Sequence, residues 1–140
     1  MFLTADQIKL AVQNGDLEIT GFSEENLKPA SYTFKLDSVL KDPKSGSEIP
    51  VSSEGYELAP GSFVLGRTRE SVNLRGKFVC ILGTRGSLAQ QGVDALQSSS
   101  IAEPDTNSCL TLEITNQGPH SVVLLPGMKI VKGAFSQVQS

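Results

Sequence analysis

At 140 residues, with 12 Lys and Arg against 15 Asp and Glu, the chain has a formal net charge of −3 and enough length for one domain with a buried core. It has no run of basic residues, which argues against binding to duplex nucleic acid, and no apolar stretch long enough to span a membrane. Residues 1–6 lack the basic start and apolar core of a secretory signal, so we expect a cytoplasmic protein.

The first predicted element is a helix that starts after Thr4 and stops near Gly15. Thr4 is a good N-cap, and Gln7 three residues later completes a capping box. Gly15 supplies the usual C-terminal stop. The buried face of this helix is marked by Ile8, Ala11 and Val12.

Beyond the helix, most segments alternate with period two, which predicts short β-strands. In Ser31–Leu36 the apolar residues Tyr32, Phe34 and Leu36 share one face, and the other face is polar. The polar segment Lys41–Ser47 predicts an exposed hairpin tip.

Two Pro-Gly pairs, in Ala59–Ser62 and Leu125–Met128, predict type II turns, because Pro presets the first central position and Gly supplies a positive φ at the second. Further strands are predicted at Gly55–Leu58, Phe63–Gly66, Phe78–Leu82, Leu110–Ile114, Val122–Leu125 and Lys129–Val131. The pattern predicts a single mainly antiparallel β domain over residues 1–140, a barrel or jelly roll with one N-terminal helix.

The two cysteines, Cys80 and Cys109, both lie in predicted strands. They could form a disulfide, but buried free thiols in a reducing cytosol are the favoured interpretation. Two cysteines and one histidine make a zinc site improbable, so no metal ligands are assigned. The histidine, His120, lies in a predicted turn and is expected to be solvated.

Two segments carry the candidate chemistry: Gly83–Gly92 (GTRGSLAQQG) and Glu113. An arginine between two glycines, followed by a serine, has the composition of a turn that approaches and holds phosphate. A carboxylate within an apolar strand is a group whose pKa can be raised toward neutrality. By themselves, both have ordinary alternatives: a tight turn between a strand and a helix, and an outward glutamate paired with a lysine.

The order of five segments adds a second line of evidence. The chain resembles the dCTP deaminase branch of the dCTP deaminase/dUTPase superfamily over nearly its whole length. The resemblance is carried by Gly15–Ile19 after the helix, Leu27–Leu36 (LKPASYTFKL), Leu58–Gly66 (LAPGSFVLG), Thr111–Gly118 (TLEITNQG) and Leu125–Ile130 (LPGMKI).

The resemblance implies a distorted jelly roll of the dUTPase-like, β-clip type that assembles as a homotrimer, with nucleotide sites shared between subunits. Glu113 matches the family glutamate that activates the water attacking C4 of the pyrimidine. Arg85 and Ser87 match positions expected to contact phosphates. The implied cofactor is Mg²⁺ bound through the nucleotide phosphates, with no catalytic metal at the base.

The chain also departs from the family pattern. Gly86 replaces a serine and Gln90 an arginine within the nucleotide-binding loop. Glu103 replaces an aspartate before Pro104, at a position where the resemblance implies a nucleotide-binding residue, and Thr106 replaces an aromatic residue. We expect residues 97–108 to be remodelled or mobile. The family segment that folds over the triphosphate is expected to be missing after residue 140.

Two functions are therefore weighed. The first is a nucleotide-binding homotrimer with at most weak hydrolytic deamination of dCTP to dUTP. The second is an inactive nucleotide sensor or ligand-sequestering protein on the same scaffold, which the lost serine, arginine and aromatic side chain favour. A structural trimer without a small ligand is a weaker third interpretation. Whether the chain is an enzyme is left open, and a phosphate-bearing small molecule and other copies of the chain are the expected partners.

Overall fold

A computed structural model describes residues 1–139. Its helices are α1 (Ala5–Gln13), α2 (Gly86–Ala89) and one 3-10 turn at Glu24–Asn26. Its strands are β1 (Glu18–Ile19), β2 (Leu27–Lys28), β3 (Ser31–Lys35), β4 (Val39–Lys41), β5 (Glu48–Pro50), β6 (Tyr56–Leu58), β7 (Phe63–Asn73), β8 (Phe78–Thr84), β9 (Val93–Asp94), β10 (Ile101–Ala102), β11 (Asn107–Asn116), β12 (Val122–Leu124) and β13 (Lys129–Gln137). The mainly β prediction is confirmed.

Helix α1 has the predicted caps. The Thr4 side chain accepts from the backbone of Gln7, and the Gln7 side chain accepts from the backbone of Thr4. Gly15 follows with a φ of 82°, a left-handed conformation that ends the helix. Ile8 and Ala11 are buried as predicted, whereas Val12 is half-buried.

The strands form two larger antiparallel sheets and one separate antiparallel pair. The first sheet has the order β5-β4-β7-β11-β9, with β1 also paired to β7. The second has the order β10-β8-β13-β3-β2, and β12 pairs with β6. One hydrophobic cluster draws on both larger sheets and includes Phe34, Leu112 and Phe135. The sheets do not close into a barrel, and the arrangement is jelly-roll-like.

The turns follow the sequence prediction. Residues 42–47 connect β4 to β5, and the Asp42 amide donates to the Ser47 carbonyl. Gly61 and Gly127 have φ values of 81° and 78°, and each Pro-Gly turn closes with a backbone hydrogen bond between its first and fourth residues. These are the features expected of type II turns.

Three details differ from the sequence prediction. The predicted polar face of β3 is not fully exposed, because Thr33 is buried and α1 packs against this strand. Strand β7 runs on to Asn73, well past the predicted end at Gly66. Both cysteines are free, but only Cys80 is buried; Cys109 is half-buried.

Candidate functional site

The predicted base Glu113 lies in the middle of β11. Its neighbours Leu112 and Ile114 are fully buried, so strand alternation directs the Glu113 side chain to the opposite face of the sheet. The Glu113 backbone N–H donates to the Ala95 carbonyl at 3.0 Å, and Leu65 of β7 is its cross-strand partner. The Glu113 backbone is therefore flanked by β7 on one side and by the residue that follows β9 on the other.

Glu113 opens into a cleft with a volume of about 190 Å³. Four hydroxyl-bearing residues line it, which gives the cleft a donor-rich wall without a second carboxylate. The full lining consists of Leu82, Ser99, Ile101, Ala102, Thr106, Ser108, Cys109, Leu110, Thr111 and Glu113.

The Glu113 carboxyl is electrostatically unusual. Its Oε1 atom is buried and has no hydrogen-bond partner among residues 1–139. Burial raises the pKa of Glu113, and the negative charge of Asp94 raises it further. A carboxyl with a raised pKa exchanges a proton closer to neutral pH, as a general base requires. This direction agrees with the one expected for a carboxylate within an apolar strand.

Asp94 places a second negative charge near Glu113, and no sequence motif indicates it. Its Oδ1 accepts hydrogen bonds from the backbone N–H groups of Leu96 at 2.9 Å and Gln97 at 3.2 Å. Gln97 and Ser98 both have left-handed φ values, 44° and 72°, which are unfavourable for residues other than glycine. The Asp94 carboxylate thus stabilises the turn that leads Ser99 into the cleft.

The other predicted half of the site lies around α2. Arg85 is the N-cap of this four-residue helix, and its backbone N–H donates to the Ile130 carbonyl at 2.9 Å. The Arg85 side chain is exposed and makes no hydrogen bond or ion pair with the described residues. Arg85 thus lies at a turn between strand β8 and helix α2, the arrangement given above as the ordinary alternative to a phosphate-binding turn.

Ser87 and Gln90 are also exposed, and no residue of α2 lines the Glu113 cleft. Gln90 instead lines a separate pocket of about 230 Å³ together with Gln91, Pro119, His120 and Val122. A Cβ added to Gly86 would have no atom within 4 Å, so packing within the chain does not require glycine there.

The end of β8 and the Glu113 strand are connected through Ala95. The Ala95 N–H donates to Thr84 Oγ1 at 3.0 Å, and the Ala95 carbonyl accepts from the Glu113 N–H. Thr84 directly precedes Arg85. The two halves of the predicted site are therefore joined by a short hydrogen-bonded connection, although no α2 residue lines the Glu113 cleft.

Glu103 lies outside the cleft. It is exposed, and its carbonyl accepts from the Thr106 N–H in a tight turn. Thr106, which stands where the family has an aromatic residue, does line the cleft. The segment 97–108 thus contains a stabilised turn, the short strand β10 and this second turn.

The alternation of β11 could have identified one missed residue. Thr111 lies two residues before Glu113, so both point to the same face, and Thr111 lines the cleft. Cys109 also lines it, displaced by an irregularity in the pairing of β11 with β7 between Cys109 and Thr111. That irregularity has no signal in the hydrophobic pattern.

Among residues 1–139, no three or more His, Cys, Asp and Glu side chains are grouped so that they could hold a metal ion. Within the same residues, no helix has the length and apolar character needed to cross a membrane.

Comparison with known proteins identifies the family. The family model described as dCTP deaminase-like matches residues 38–138. The chain is 28% identical to a Corynebacterium glutamicum protein named dCTP deaminase, dUMP-forming, over 100% of this chain and 82% of that protein. It is 29% identical to the protein of the same name from Rhodococcus opacus, over 93% of this chain and 77% of the relative.

Solved structures agree on the fold. The 2'-deoxycytidine 5'-triphosphate deaminase from Agrobacterium tumefaciens matches with a TM-score of 0.81 at 16% identity over 99% of this chain. This chain spans about half of that protein, 48% of its length. The EIAV dUTPase matches with a TM-score of 0.54 at 14% identity, over 79% of this chain and 89% of the dUTPase. The predicted dUTPase-like fold is confirmed.

Proposed function

Because the chain belongs to the dCTP deaminase-like family, we propose that it is a nucleotide-binding homotrimer that holds dCTP and deaminates it slowly to dUTP. The observation that supports this most is the Glu113 carboxyl, with one buried and unpartnered oxygen in a hydroxyl-lined cleft. A buried polar atom without a partner is costly in a folded protein, which suggests a ligand or water in the functional state.

In this proposal Glu113 performs the proton transfers. It takes a proton from a water molecule as the water oxygen bonds to C4 of cytosine, and it returns a proton to the departing amino group. The C4–N bond breaks and ammonia leaves, so that dCTP and water give dUTP and ammonia. The hydroxyls of Ser99 and Thr106 are placed to orient the base and the water.

A shared site explains the separation of Glu113 from Arg85. Arg85 and Ser87 are exposed and do not line the Glu113 cleft of their own chain. In a homotrimer, a neighbouring copy would bring its Arg85 and Ser87 to the phosphates of a nucleotide seated at Glu113. Gly86 and Gln90 would lie in the same loop but without the hydroxyl and the charge that the family supplies there.

The missing groups account for slow turnover. Deletion of one preorganised donor in an active site typically lowers the rate about 100- to 1000-fold. The glycine at position 86 and the glutamine at position 90 each remove such a group. Thr106 cannot supply the ring of the aromatic residue that it replaces, and Glu103, exposed and outside the cleft, contributes through a neighbouring copy if at all.

The residues present fit Mg²⁺ only as a partner of the nucleotide. No cluster of three metal-binding side chains exists among residues 1–139, so the phosphates would provide most of its ligands. When bound, the ion would neutralise part of the phosphate charge. We further propose one domain over residues 1–140 and a cytoplasmic location.

The test is incubation of the purified protein with dCTP and Mg²⁺, with separation of dCTP, dUTP and dUMP by chromatography. Slow formation of a deoxyuridine nucleotide is expected, and Glu113→Gln should abolish it. Glu57→Gln is a matched control, because Glu57 is an exposed strand glutamate outside the cleft. Accumulation of dUMP rather than dUTP would extend the activity to that named in the curated relatives.

Absence of product at high protein concentration would contradict the deaminase part of the proposal. A thermal shift then separates a binder from a structural protein, since a ligand at a hundred times its Kd adds about 2.7 kcal/mol of stability. A shift with dCTP that Arg85→Ala removes would support the inactive sensor or sequestering protein. No shift with any nucleotide would contradict nucleotide binding altogether.

A further inference from the structure

A second pocket adjoins the Glu113 cleft on the same sheet. It has a volume of about 210 Å³, and Thr111 lines both cavities. The two cavities therefore meet along β11. The lining of the second pocket is Val39, Leu40, Lys41, Glu48, Leu65, Gly66, Arg67 and Thr111.

Strand register places two cations, Arg67 and Lys41, on the sheet face that carries Glu113. Arg67 is the cross-strand partner of Thr111, and Leu65 is the partner of both Glu113 and Lys41. Cross-strand partners share a face, so these side chains lie on the outward face of one sheet. Arg67 and Glu113 are diagonal neighbours, a separation of about 7–8 Å that a long side chain can cover.

The Arg67 side chain is fixed at one end and free at the other. Its Nε donates to Asp37 Oδ2 at 2.7 Å, and the Asp37 backbone N–H donates to the Arg67 carbonyl at 3.0 Å. Burial of Asp37 would raise its pKa, but hydrogen bonds from Arg67 and Ser38 outweigh it, so the pKa of Asp37 is lowered and the carboxylate stays charged.

The Nη groups of Arg67 have no hydrogen-bond partner within residues 1–139, and the side chain is 49% exposed. A guanidinium oriented through Nε with its Nη groups free is arranged to bind an oxyanion. Lys41 makes no ion pair with the described residues, and the Thr111 hydroxyl makes no hydrogen bond with them. The Nη groups of Arg67, the Lys41 ammonium group and the Thr111 hydroxyl therefore belong to residues that line one pocket, and none of these groups has a hydrogen-bond or ion-pair partner among the described residues.

We propose that Arg67, Lys41 and Thr111 form an oxyanion subsite next to the Glu113 cleft, which takes a phosphate of the bound ligand or free inorganic pyrophosphate. The identification of the ligand as a nucleotide rests on the proposed function. The carboxylates of Asp37 and Glu48 also lie near Arg67 and lower the local potential. The subsite therefore selects multiply charged anions at modest affinity.

The probe is inorganic pyrophosphate, titrated into the full chain with detection by amide and guanidinium NMR. Perturbations centred on Thr111 and Arg67 are expected. Arg67→Gln should weaken binding about 10-fold or more, because hydrogen bonds to charged groups are the stronger class. Lys41→Gln, which leaves the Asp37 contact intact, should weaken it by a smaller factor. Glu48→Gln should tighten it several-fold by removing a competing charge.

Lys44→Gln is the matched control, because it removes the same charge from the neighbouring hairpin tip without touching the pocket. If Arg67→Gln and Lys41→Gln bind pyrophosphate no more weakly than Lys44→Gln, the subsite is refuted. The same holds if Arg67→Gln changes only the oligomeric state, which would make Arg67 a subunit contact.

Parallel titration with dCTP separates this inference from the proposed function. Pyrophosphate binding at Thr111 and Arg67 without dCTP binding would support the subsite and contradict the nucleotide function. Binding of dCTP that is sensitive to Arg85→Ala but indifferent to Arg67→Gln and Lys41→Gln would support the function and refute the subsite.

Discussion

The Glu113 cleft and the α2 segment are the two halves of the predicted site, and they differ in how much the chain provides for each. Glu113 is held between strands, partly buried, and surrounded by hydroxyls of its own chain. Arg85 is exposed at the start of a four-residue helix, without a side-chain partner among the described residues. The first half is shaped by the fold itself, whereas the second becomes a site only when something is bound against it.

This difference separates stability from function. A change at Glu113 alters a partly buried carboxyl and therefore affects both folding and chemistry. A change at Arg85 removes an exposed side chain and should affect ligand binding alone. The following predictions use that contrast, beginning with the largest effect.

The largest effect is expected at Glu113. Glu113→Gln keeps the size of the side chain but removes proton transfer, so dCTP turnover should fall at least about 100-fold. Chromatographic product analysis provides the rate. The variant should still bind dCTP, and a variant that retained near-normal turnover would exclude Glu113 as the base.

The next effect is expected at Arg85. Arg85→Ala should weaken dCTP binding about 10- to 100-fold, because it deletes charge-assisted hydrogen bonds to phosphate. Its melting temperature without ligand should stay within about one degree of the unmodified chain, since the side chain is exposed and makes no hydrogen bond or ion pair with the described residues. Calorimetric titration and thermal unfolding measure the two quantities. A large loss of stability would contradict the claim that Arg85 serves ligand binding and not folding.

A gain of activity is expected from restoring the family residues in the α2 segment. Gly86→Ser introduces a hydroxyl into open space, and Gln90→Arg replaces an exposed side chain. Together they should raise dCTP turnover about 10-fold or more. Steady-state kinetics on the double variant gives the ratio. An unchanged rate would place the defect elsewhere, with Thr106 the first residue to examine.

The smallest effect concerns pH. Because the folded-state pKa of Glu113 is raised, its protonation favours the folded state. This contribution is fully present below the unfolded pKa and is lost as pH rises through the folded pKa. Glu113→Gln should remove that part of the pH dependence of thermal unfolding, and Asp94→Asn should reduce it, since burial remains as the larger cause. Burial also raises the pKa of Glu70, but Glu70 is present in all of these variants, so its contribution to the pH dependence is the same in each.

Asp94→Asn also distinguishes charge from structure. An asparagine can still accept from the Leu96 and Gln97 backbones, so the turn should persist. Asp94→Ala removes both the charge and the acceptor and should disturb the turn as well. If the two variants lower the pKa of Glu113 equally, the Asp94 carboxylate acts on Glu113 through its charge alone.

Much of the fold could be predicted from local patterns. The capping box at Thr4 and the Pro-Gly turns are short-range signals, and both were found in the structure. The hydrophobic pattern predicts an end of β7 at Gly66, too early, because the buried positions beyond Gly66 include the polar residues Thr68 and Glu70. There Thr68 Oγ1 accepts from the Leu110 N–H, and Glu70 Oε1 accepts from the Lys35 N–H. These residues are buried through hydrogen bonds to strands that are distant in sequence. Because they are polar, they interrupt the alternation of hydrophobic residues by which a strand is predicted.

The candidate site shows the same division. Matched motifs propose Glu113 and the turn at Arg85 as site residues, because each motif is contiguous in sequence. No motif indicates Asp94 or Arg67, because the place of each depends on strand register or on the turn at Leu96–Gln97. The separation of Arg85 from the Glu113 cleft could not be derived from spacing either, since it depends on where β8 and β11 end in different sheets.

The central claim is that one copy supplies Glu113 and another supplies Arg85, and complementation tests it most directly. Equal amounts of the Glu113→Gln and Arg85→Ala chains would be unfolded together, refolded as mixed assemblies, and assayed for dCTP turnover. In a randomly mixed homotrimer, about a quarter of the sites combine an intact Glu113 with an intact Arg85 from a neighbour, so about a quarter of the normal activity should return. Mixed assemblies that form but remain as inactive as either variant alone would contradict the shared site.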